Sequence, residues 1–374
     1  MGEIQLVSSA VIYRNPHPGH AVINAYLPST IELKPGELVC VLRRGSAFYS
    51  HDGVLVPFRS TDGGTTWIEG SPVRDPRQDQ QLYSYTAPFL SQLRDGSLVL
   101  VAFRFEASDR LFVNPQTGAF LPCDTLLFRS QDGGLSWSLP EVARFPGRSI
   151  AYPSGCITEL PGGGWFLPLD LGKAYDDPKP FKPEVLCSMS HDCGRSWSAP
   201  IQIAAASCDA KSYRHGRVVP LLDGRLFTLL WTEDVSSRVF IDLHRTISDV
   251  EGCAWSTPEP TGLPGQTSWA VDLGGGRMFA AYSLREENPP GIRGVISEDV
   301  GKTWSKRSEI VLWDATGRET IGVASRSQYP WSHDVIAFGR PQAHRLADGD
   351  ILISFWATEA CTTQAFFRRV RCHF

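Results

Sequence analysis

The sequence lacks the features that mark membrane, secreted and nucleic-acid-binding proteins. No apolar run among its 374 residues approaches the roughly 18 needed to span a bilayer. Its first residues, Met1 to Leu6, contain neither the basic nor the apolar region of a signal peptide. The net charge of -4 arises from scattered residues without a basic cluster. We therefore expect a cytoplasmic protein that binds neither membranes nor nucleic acid.

The nine cysteines show no pattern of disulfide or metal chemistry. Their number is odd, and they include no Cys-x-x-Cys pair and no Cys/His cluster. The stretch from His17 to His20 is too short and too rich in proline to indicate a metal site. We expect free buried thiols, no metal and no cofactor.

What the sequence has in abundance is turn residues, with 34 glycines and 27 prolines, and one turn motif recurs along the chain. In the motif Ser-x-Asp-x-Gly-x-Thr/Ser-Trp, the aspartate can accept hydrogen bonds from turn N–H groups, the glycine permits positive φ, and the tryptophan packs beside the next sheet. Repetition of this kind indicates a repeat architecture. Four copies and one degenerate copy are present, at 60–67, 130–137, 190–197, 297–304 and 248–255.

A second repeat, Leu-x-x-Gly, occurs six times between strand-like segments and has the character of a hairpin turn. Interleaving the two repeats gives a unit of four antiparallel strands, which we label A to D. Six such units predict a single all-β domain over 1–374, a six-bladed β-propeller. The turn leucines are Leu33, Leu93, Leu160, Leu221, Leu273 and Leu346.

The predicted blades can be placed approximately along the chain. The last one has no aspartate turn of its own, so residues 4–13 are expected to supply its outer strand and close the ring. Both turn motifs then lie on one face, and a ligand site is expected on the other, where the A strands begin around the axis. The blades span about 20–75, 83–145, 148–205, 211–262, 265–313 and 333–374.

The aspartate turn resembles the Asp-box, or BNR repeat, of the sialidase superfamily, whose propeller also has six blades. This resemblance covers essentially the whole chain and implies a carbohydrate ligand. At the position of the family's Arg-Ile-Pro, however, this sequence has Tyr26-Leu27-Pro28. A further arginine near the family's site is matched by Arg43, and the acid/base aspartate by Asp52.

Other family positions are not kept. Sialidases have a glutamate and a tyrosine that together form the activated nucleophile, and at those positions this sequence has Arg214-His215 and Gly339-Arg340. The position of one arginine of the family's substrate-binding triad falls near Gln266. The resemblance therefore implies a sialidase-like propeller that is not a standard sialidase. Asp52 would be its general acid if burial raised the pKa of the carboxyl.

The six A strands, aligned on their turn leucines, bring planar donors and aromatic rings to the axis. Such a group suits a polyhydroxylated or acidic sugar. For each charged residue, a salt bridge between blades is the structural alternative. The candidates for contact with the sugar are Tyr26, Tyr85, Tyr152, Tyr213, Arg214, Gln266, His215 and Arg340 on the A strands, with Arg43, Arg104, Glu233, Asp234 and Arg285 at the far ends of the B strands.

We interpret the chain as a carbohydrate-active enzyme, most simply an exo-acting glycoside hydrolase. Asp52 would act as the acid, and Glu233, Asp234 or His215 would be the second group. A second interpretation is a uronic-acid oligosaccharide lyase, in which His215 or a tyrosine removes the C5 proton of the sugar. A third interpretation is a non-catalytic propeller that binds glycans or proteins.

Overall fold

The structure, a computed structural model, describes residues 2–147, 150–179, 183–204, 210–237, 239–285, 287, 289–317 and 337–374. Within them the strands form six antiparallel sheets, so the predicted six-bladed β-propeller is confirmed. Residues 148, 205 and 333, which served as predicted blade boundaries, lie outside the described residues. The helices there are two 3-10 turns, Pro76–Gln78 and Lys306–Ser308, and no described helix has the length and apolarity to cross a membrane.

Three blades consist of four uninterrupted strands in the order A to D. The B strands are nearly continuous runs of buried residues, because both of their faces pack against neighbouring blades, for example in Leu98–Glu106. Blade one comprises Asn24–Lys34, Glu37–Gly45, Val54–Ser60 and Ile68–Glu69; blade two Tyr83–Gln92, Leu98–Glu106, Cys123–Ser130 and Glu141–Ala143; blade five Ser268–Gly274, Arg277–Leu284, Gly291–Ser297 and Ile310–Asp314.

In blades three and four the A strand is interrupted near its middle. The break in blade four also divides the C strand into two short segments that pair with the same B strand. Blade three comprises Ala151–Pro153 with Thr158–Glu159, Trp165–Leu171, Val185–Ser190 and Ile201–Ala204; blade four Lys211–Arg214 with Val219–Pro220, Leu226–Asp234, Val239–Phe240 with His244–Ile247, and Glu259–Pro260.

Blade six joins the two ends of the chain. Its strands A, B and C are Phe338–Arg345, Ile351–Glu359 and Thr362–His373, and its outer strand is Glu3–Tyr13 from the beginning of the sequence. The outer strand pairs antiparallel with Thr362–His373 along nearly its whole length. The ring is therefore closed by main-chain hydrogen bonds between segments far apart in sequence.

The aspartate turns owe their shape to hydrogen bonds within each motif. In the first copy, Asp62 accepts from the backbone N–H of Thr66 at 2.9 Å and from its hydroxyl at 2.6 Å. Ser60 accepts from the backbone N–H of Gly64 at 2.9 Å, and the Trp67 indole donates to the Gly64 carbonyl at 3.0 Å. The hydrogen bonds from Thr66 lower the pKa of Asp62 to about 2, so the carboxylate stays ionised.

The glycine of this turn is expected to be irreplaceable. Gly64 has φ +91°, and a Cβ there would lie 2.6 Å from the Phe367 ring of blade six. Gly64→Ala should cost about 2–4 kcal/mol of unfolding free energy, since strain and overpacking add. Gly96→Ala is the matched control, because Gly96 has φ +84° but nothing within 4 Å of a Cβ, and strain alone should cost about 1 kcal/mol. Urea unfolding measures both variants, and equal losses would contradict the packing role.

The residues four positions before each turn leucine fill the propeller axis, and we call them the axial layer. Gln342 of blade six donates to the Cys156 thiol of the opposite blade at 3.4 Å and accepts from the Thr30 backbone N–H at 2.8 Å. The contact with Cys156 joins opposite blades, so these side chains meet across the axis. The members of the axial layer are Ser29, Phe89, Cys156, Arg217, Trp269 and Gln342.

Candidate functional site

The mouth of the propeller, the face on which the A strands begin, is ringed by strained backbone. Left-handed φ values occur at Leu27, Ala87, His215 and Arg340, between +46° and +56°. Each residue lies six positions before a turn leucine, so four blades adopt the same conformation at one level of the axis. A left-handed conformation costs a non-glycine residue about 1–3 kcal/mol, and such strain is concentrated at functional sites.

His215 forms a pair with Asp170, which lies near the end of strand B in blade three. Its Nδ1 lies 3.0 Å from the Asp170 carboxylate, and its backbone N–H donates to the same carboxylate at 3.1 Å. The imidazole stacks on Trp231, with ring centroids 5.5 Å apart, while its side chain keeps 30% exposure. With Nδ1–H directed to Asp170, the lone pair of the imidazole is at Nε2.

The electrostatic surroundings of His215 favour the neutral imidazole. Burial lowers the pKa of His215 below its ordinary value of 6.5; Asp170 opposes this shift, while Arg217 and Arg214 reinforce it. A neutral imidazole held by a carboxylate has the arrangement of a general base. The lowered pKa means that this state persists at neutral pH.

Arg214 and Glu233 form an ion pair next to this histidine. The guanidinium donates to the Glu233 carboxylate at 2.6 Å, and Glu233 is nearly buried whereas Arg214 keeps 27% exposure. The Arg214 guanidinium also lies 5.9 Å from the Trp231 ring. Asp234 differs: it is directed to a turn, where it accepts from Ser236 and Ser237, and these bonds lower the pKa of Asp234 to about 2.

Asp52 organises a loop of blade one. Its carboxylate accepts two hydrogen bonds from the backbone N–H of Ser46, both at 3.0 Å. Burial alone would raise the pKa of Asp52, but hydrogen bonds from Ser50 and Ser46 and the charge of Arg43 outweigh it and lower the pKa. The raised pKa that a general acid needs is therefore not found at this position.

Arg43 supports the same loop from inside. It is fully buried and donates to the carbonyls of Ala47 and Ser50, at 2.8 and 2.6 Å, and to the Ser84 hydroxyl. Cβ atoms at Gly45 or Gly53 would lie within 2.7 Å of its guanidinium. The sequence suggested that Arg43 contacts a sugar, but its donors are used to fix the loop beside the mouth.

Tyr26 and Arg340 are likewise buried. Tyr26 packs edge-on against Phe48 and Trp356, with ring centroids 5.3 and 5.4 Å away. Arg340 crosses the axis and donates to the carbonyls of Leu27 at 3.4 Å and Pro88 at 2.5 Å. We expected both to contact substrate, but in the structure they join blades six, one and two beneath the mouth.

The Tyr85 side of the mouth carries a second polar network. The Tyr85 hydroxyl donates to Asp79 at 2.5 Å, and burial together with this carboxylate raises the pKa of Tyr85 to about 12. Arg104 donates twice to Asp124 at 3.1 Å and lies 3.9 Å above the Tyr83 ring. Tyr85 is 1% exposed, so this network presents Arg104 rather than the tyrosine to the mouth.

The remaining predicted residues support the walls of the mouth. Tyr152 is buried, lies 5.4 Å from the Phe120 ring, and its hydroxyl has no acceptor in the described part of the chain. Tyr213 is buried and lies 5.9 Å from the His244 ring. Gln266 accepts from the Arg285 backbone N–H at 3.0 Å, and the Arg285 guanidinium donates to the Phe338 carbonyl.

The structure thus divides the predicted site residues into separate groups. His215, Arg214 and Glu233 come together around Trp231, whereas the described contacts of Asp52 are with its own loop and Arg43. Asp170 was not predicted from the sequence. It lies near the end of the B strand of blade three, and the ends of the B strands in four other blades had supplied candidate site residues. Extending that comparison to blade three would have found it.

Comparisons with known proteins agree with the fold. A family model described as BNR repeat-like domain matches residues 101–335. A comparison with curated proteins finds no match. Among solved structures, a protein of unknown function from Dyadobacter fermentans has a TM-score of 0.75 and 22% identity, with 99% of each chain covered.

Two further structures have named activities. The Hadza microbial sialidase Hz136 has a TM-score of 0.70 and 13% identity, with 96% of this chain and 68% of that chain covered. An alpha-L-arabinanase from Penicillium chrysogenum, in complex with arabinobiose, has a TM-score of 0.65 and 15% identity, with 98% of each chain covered. At these identities the likeness establishes the fold, and the expected resemblance to sialidase propellers is confirmed.

Proposed function

Because the chain belongs to the family of BNR repeat-like domains, we propose that it is a carbohydrate-active enzyme, an exo-acting glycoside hydrolase of an acidic or hydroxyl-rich sugar that is not a standard sialidase. The similarity of its propeller to those of a sialidase and an arabinanase supports the class of enzyme. The chemistry of the mouth supports the departure from sialidases.

The observation that carries the proposal is the His215–Asp170 pair on the Trp231 ring. Asp170 orients the imidazole, so that Nε2 can take a proton from water and return it to a leaving oxygen. The adjacent Glu233, held by Arg214, would be the second acid/base group for the same substrate. Arg214 and Arg104, both partly exposed, would bind sugar hydroxyls or a carboxylate.

The other predicted residues take supporting roles in this proposal. Asp234 would fix a turn at the rim of the mouth. The loops and strand ends that shape the mouth would be held by Arg43, Arg340, Tyr26, Tyr85, Tyr152, Tyr213, Gln266 and Arg285.

The test is a panel of aryl glycosides and acidic oligosaccharides incubated with the purified protein. A hydrolase releases the aglycone or a reducing sugar without generating a double bond. If nothing is cleaved while one glycan binds, the protein is a binding propeller and the enzymatic proposal fails.

A uronic-acid oligosaccharide lyase is the second candidate, and the neutral state of His215 favours it. A neutral base can remove the C5 proton of a uronic acid while an arginine neutralises the carboxylate. The C4=C5 double bond then forms as the C4–O bond breaks, and the departing oxygen takes up a proton. Only this reaction yields an unsaturated sugar that absorbs in the ultraviolet. Following absorbance alongside reducing ends therefore separates the two reactions in one assay.

Asp52→Asn tests the role of the loop carboxylate. Because hydrogen bonds lower the pKa of Asp52, we expect its contribution to be a negative charge near the substrate, and its removal should lower kcat about fivefold. Asparagine keeps an acceptor for Ser46, but the loss of the charge that acts on the buried Arg43 should lower thermal stability. A loss of a hundredfold or more would instead identify Asp52 as the general acid that the family resemblance implies.

A further inference from the structure

Two arginines lie buried on the propeller axis. Arg217 and Arg340 are each 5% exposed, and neither forms an ion pair within the described residues. Both guanidinium carbons lie near the Phe89 ring, at 5.9 and 4.0 Å from its centroid. The charge of Arg217 also contributes to lowering the pKa of Arg340. The axis therefore concentrates two like charges in a buried space.

The two arginines differ in how their donors are used. Arg340 donates to the carbonyls of Leu27 and Pro88. Arg217 has no acceptor among the described residues, and its Nε and Nη1 are buried without a partner. Burial lowers the pKa of Arg217 to about 10, so the group is still protonated at neutral pH. An unpaired buried cation with unused donors is costly and rare in folded proteins.

No described side chain forms an ion pair with Arg217. Asp170 is the carboxylate whose charge acts on Arg217 from a distance, but the described hydrogen bonds of its oxygens are with the backbone N–H and Nδ1 of His215. Cys156 lies in the same layer, yet burial raises the pKa of its thiol to about 11, so it remains neutral. The guanidinium carbon of Arg217 also lies 5.9 Å from the ring centroids of Phe89 and Trp269.

We propose that a small anion binds on the axis beside Arg217, with Arg340 contributing to the positive potential, directly below the mouth. Arg217 would donate Nε–H, which is buried without a partner, and the Nη2–H on the same edge of the guanidinium, in the side-on fork that arginine uses for anions. The anion is either a free halide or the carboxylate of a ligand that enters from the mouth, and both share this chemistry. The proposal does not depend on the proposed reaction, because the charges are buried whether or not a sugar is cleaved.

Thermal unfolding in different sodium salts at constant ionic strength tests the proposal. Relative to HEPES, whose bulky sulfonate cannot enter the axial layer, chloride or bromide should give a saturable rise of about 2 °C or more in Tm. A rise with acetate or glucuronate but not with the halides would assign the site to a ligand carboxylate. If no anion gives a saturable rise above HEPES, the proposal is wrong.

Arg217→Met should abolish the saturable rise. Arg293→Met is the matched control, since Arg293 is 1% exposed but has Glu309 at 4.0 Å and donates to the Pro289 carbonyl. This variant should lose stability equally in every salt and keep the anion-dependent rise.

If Arg217→Met does not fold, the wild-type protein supplies a direct test. Crystals soaked in sodium bromide, or in bromoacetate for the carboxylate case, should show an anomalous peak beside the Arg217 guanidinium. Absence of both peaks would overturn the proposal without any assay of activity.

Discussion

Replacing His215 by glutamine is expected to lower kcat by about 10²–10⁴-fold on whichever glycan the panel identifies. Glutamine keeps a donor for Asp170 and most of the volume that stacks on Trp231, but it cannot accept a proton at neutral pH. KM should change little, because the substitution removes proton transfer rather than binding. His344→Gln is the control, since His344 also lies on an A strand but close to the turn face, and it should leave kcat unchanged.

The pH profile separates a base from a merely structural histidine. Because the folded pKa of His215 is below 6.5, the active neutral form should persist as pH falls below 6.5, and activity should decline only when the imidazole protonates. Asp170 favours the protonated form, so Asp170→Asn should move this acid limb to still lower pH while reducing kcat. An unchanged limb in Asp170→Asn, with full activity in His215→Gln, would remove this pair from the mechanism.

Deleting residues 2–13 is expected to cause the largest loss of stability. The deletion removes the whole outer strand of blade six, and with it the buried side chains of Ile4, Ile12 and Tyr13. Each buried apolar side chain contributes about 1.5–3 kcal/mol, so the loss should exceed about 4 kcal/mol. It also exposes the edge of Thr362–His373, which should promote association between molecules.

Point variants show whether this loss comes from ring closure. Ile12→Ala should cost about 2–4 kcal/mol because Ile12 is 4% exposed. Leu6→Ala, in the same strand but 43% exposed, should cost less than about 0.5 kcal/mol. Chemical denaturation and analytical size exclusion measure stability and association. A truncated protein that remains monomeric and unfolds at the wild-type urea concentration would contradict the closure.

The turn motifs could be interpreted from the sequence because their interactions are local. Asp62 bonds to Thr66 four residues away, and the same pattern holds at Asp132, Asp192 and Asp299. Even the degenerate turn follows it, since Asp249 accepts from the Cys253 N–H at 2.9 Å. Repeats of this kind determine the number of blades and hence which residues of each A strand reach the axis.

The candidate site was only partly predictable. His215 and Arg214 were identified by their alignment at the mouth, and the ion pair with Glu233 joins two of the predicted residues. The role of Asp170 was missed because it depends on a contact between blades three and four, 45 residues apart. Arg43 matched a family position, yet its burial and its hydrogen bonds to the loop could not be inferred from spacing.

The sequence by itself therefore determined the all-β class, the six blades, the closure by the first strand and the face that carries the mouth. Only the tertiary structure decided which side chains are exposed there and which are used inside, as with Arg340, whose acceptor on Leu27 is 313 residues away. The physical reason is that turns depend on hydrogen bonds within a few residues, whereas the protonation and availability of a side chain depend on desolvation and charges contributed by several blades at once.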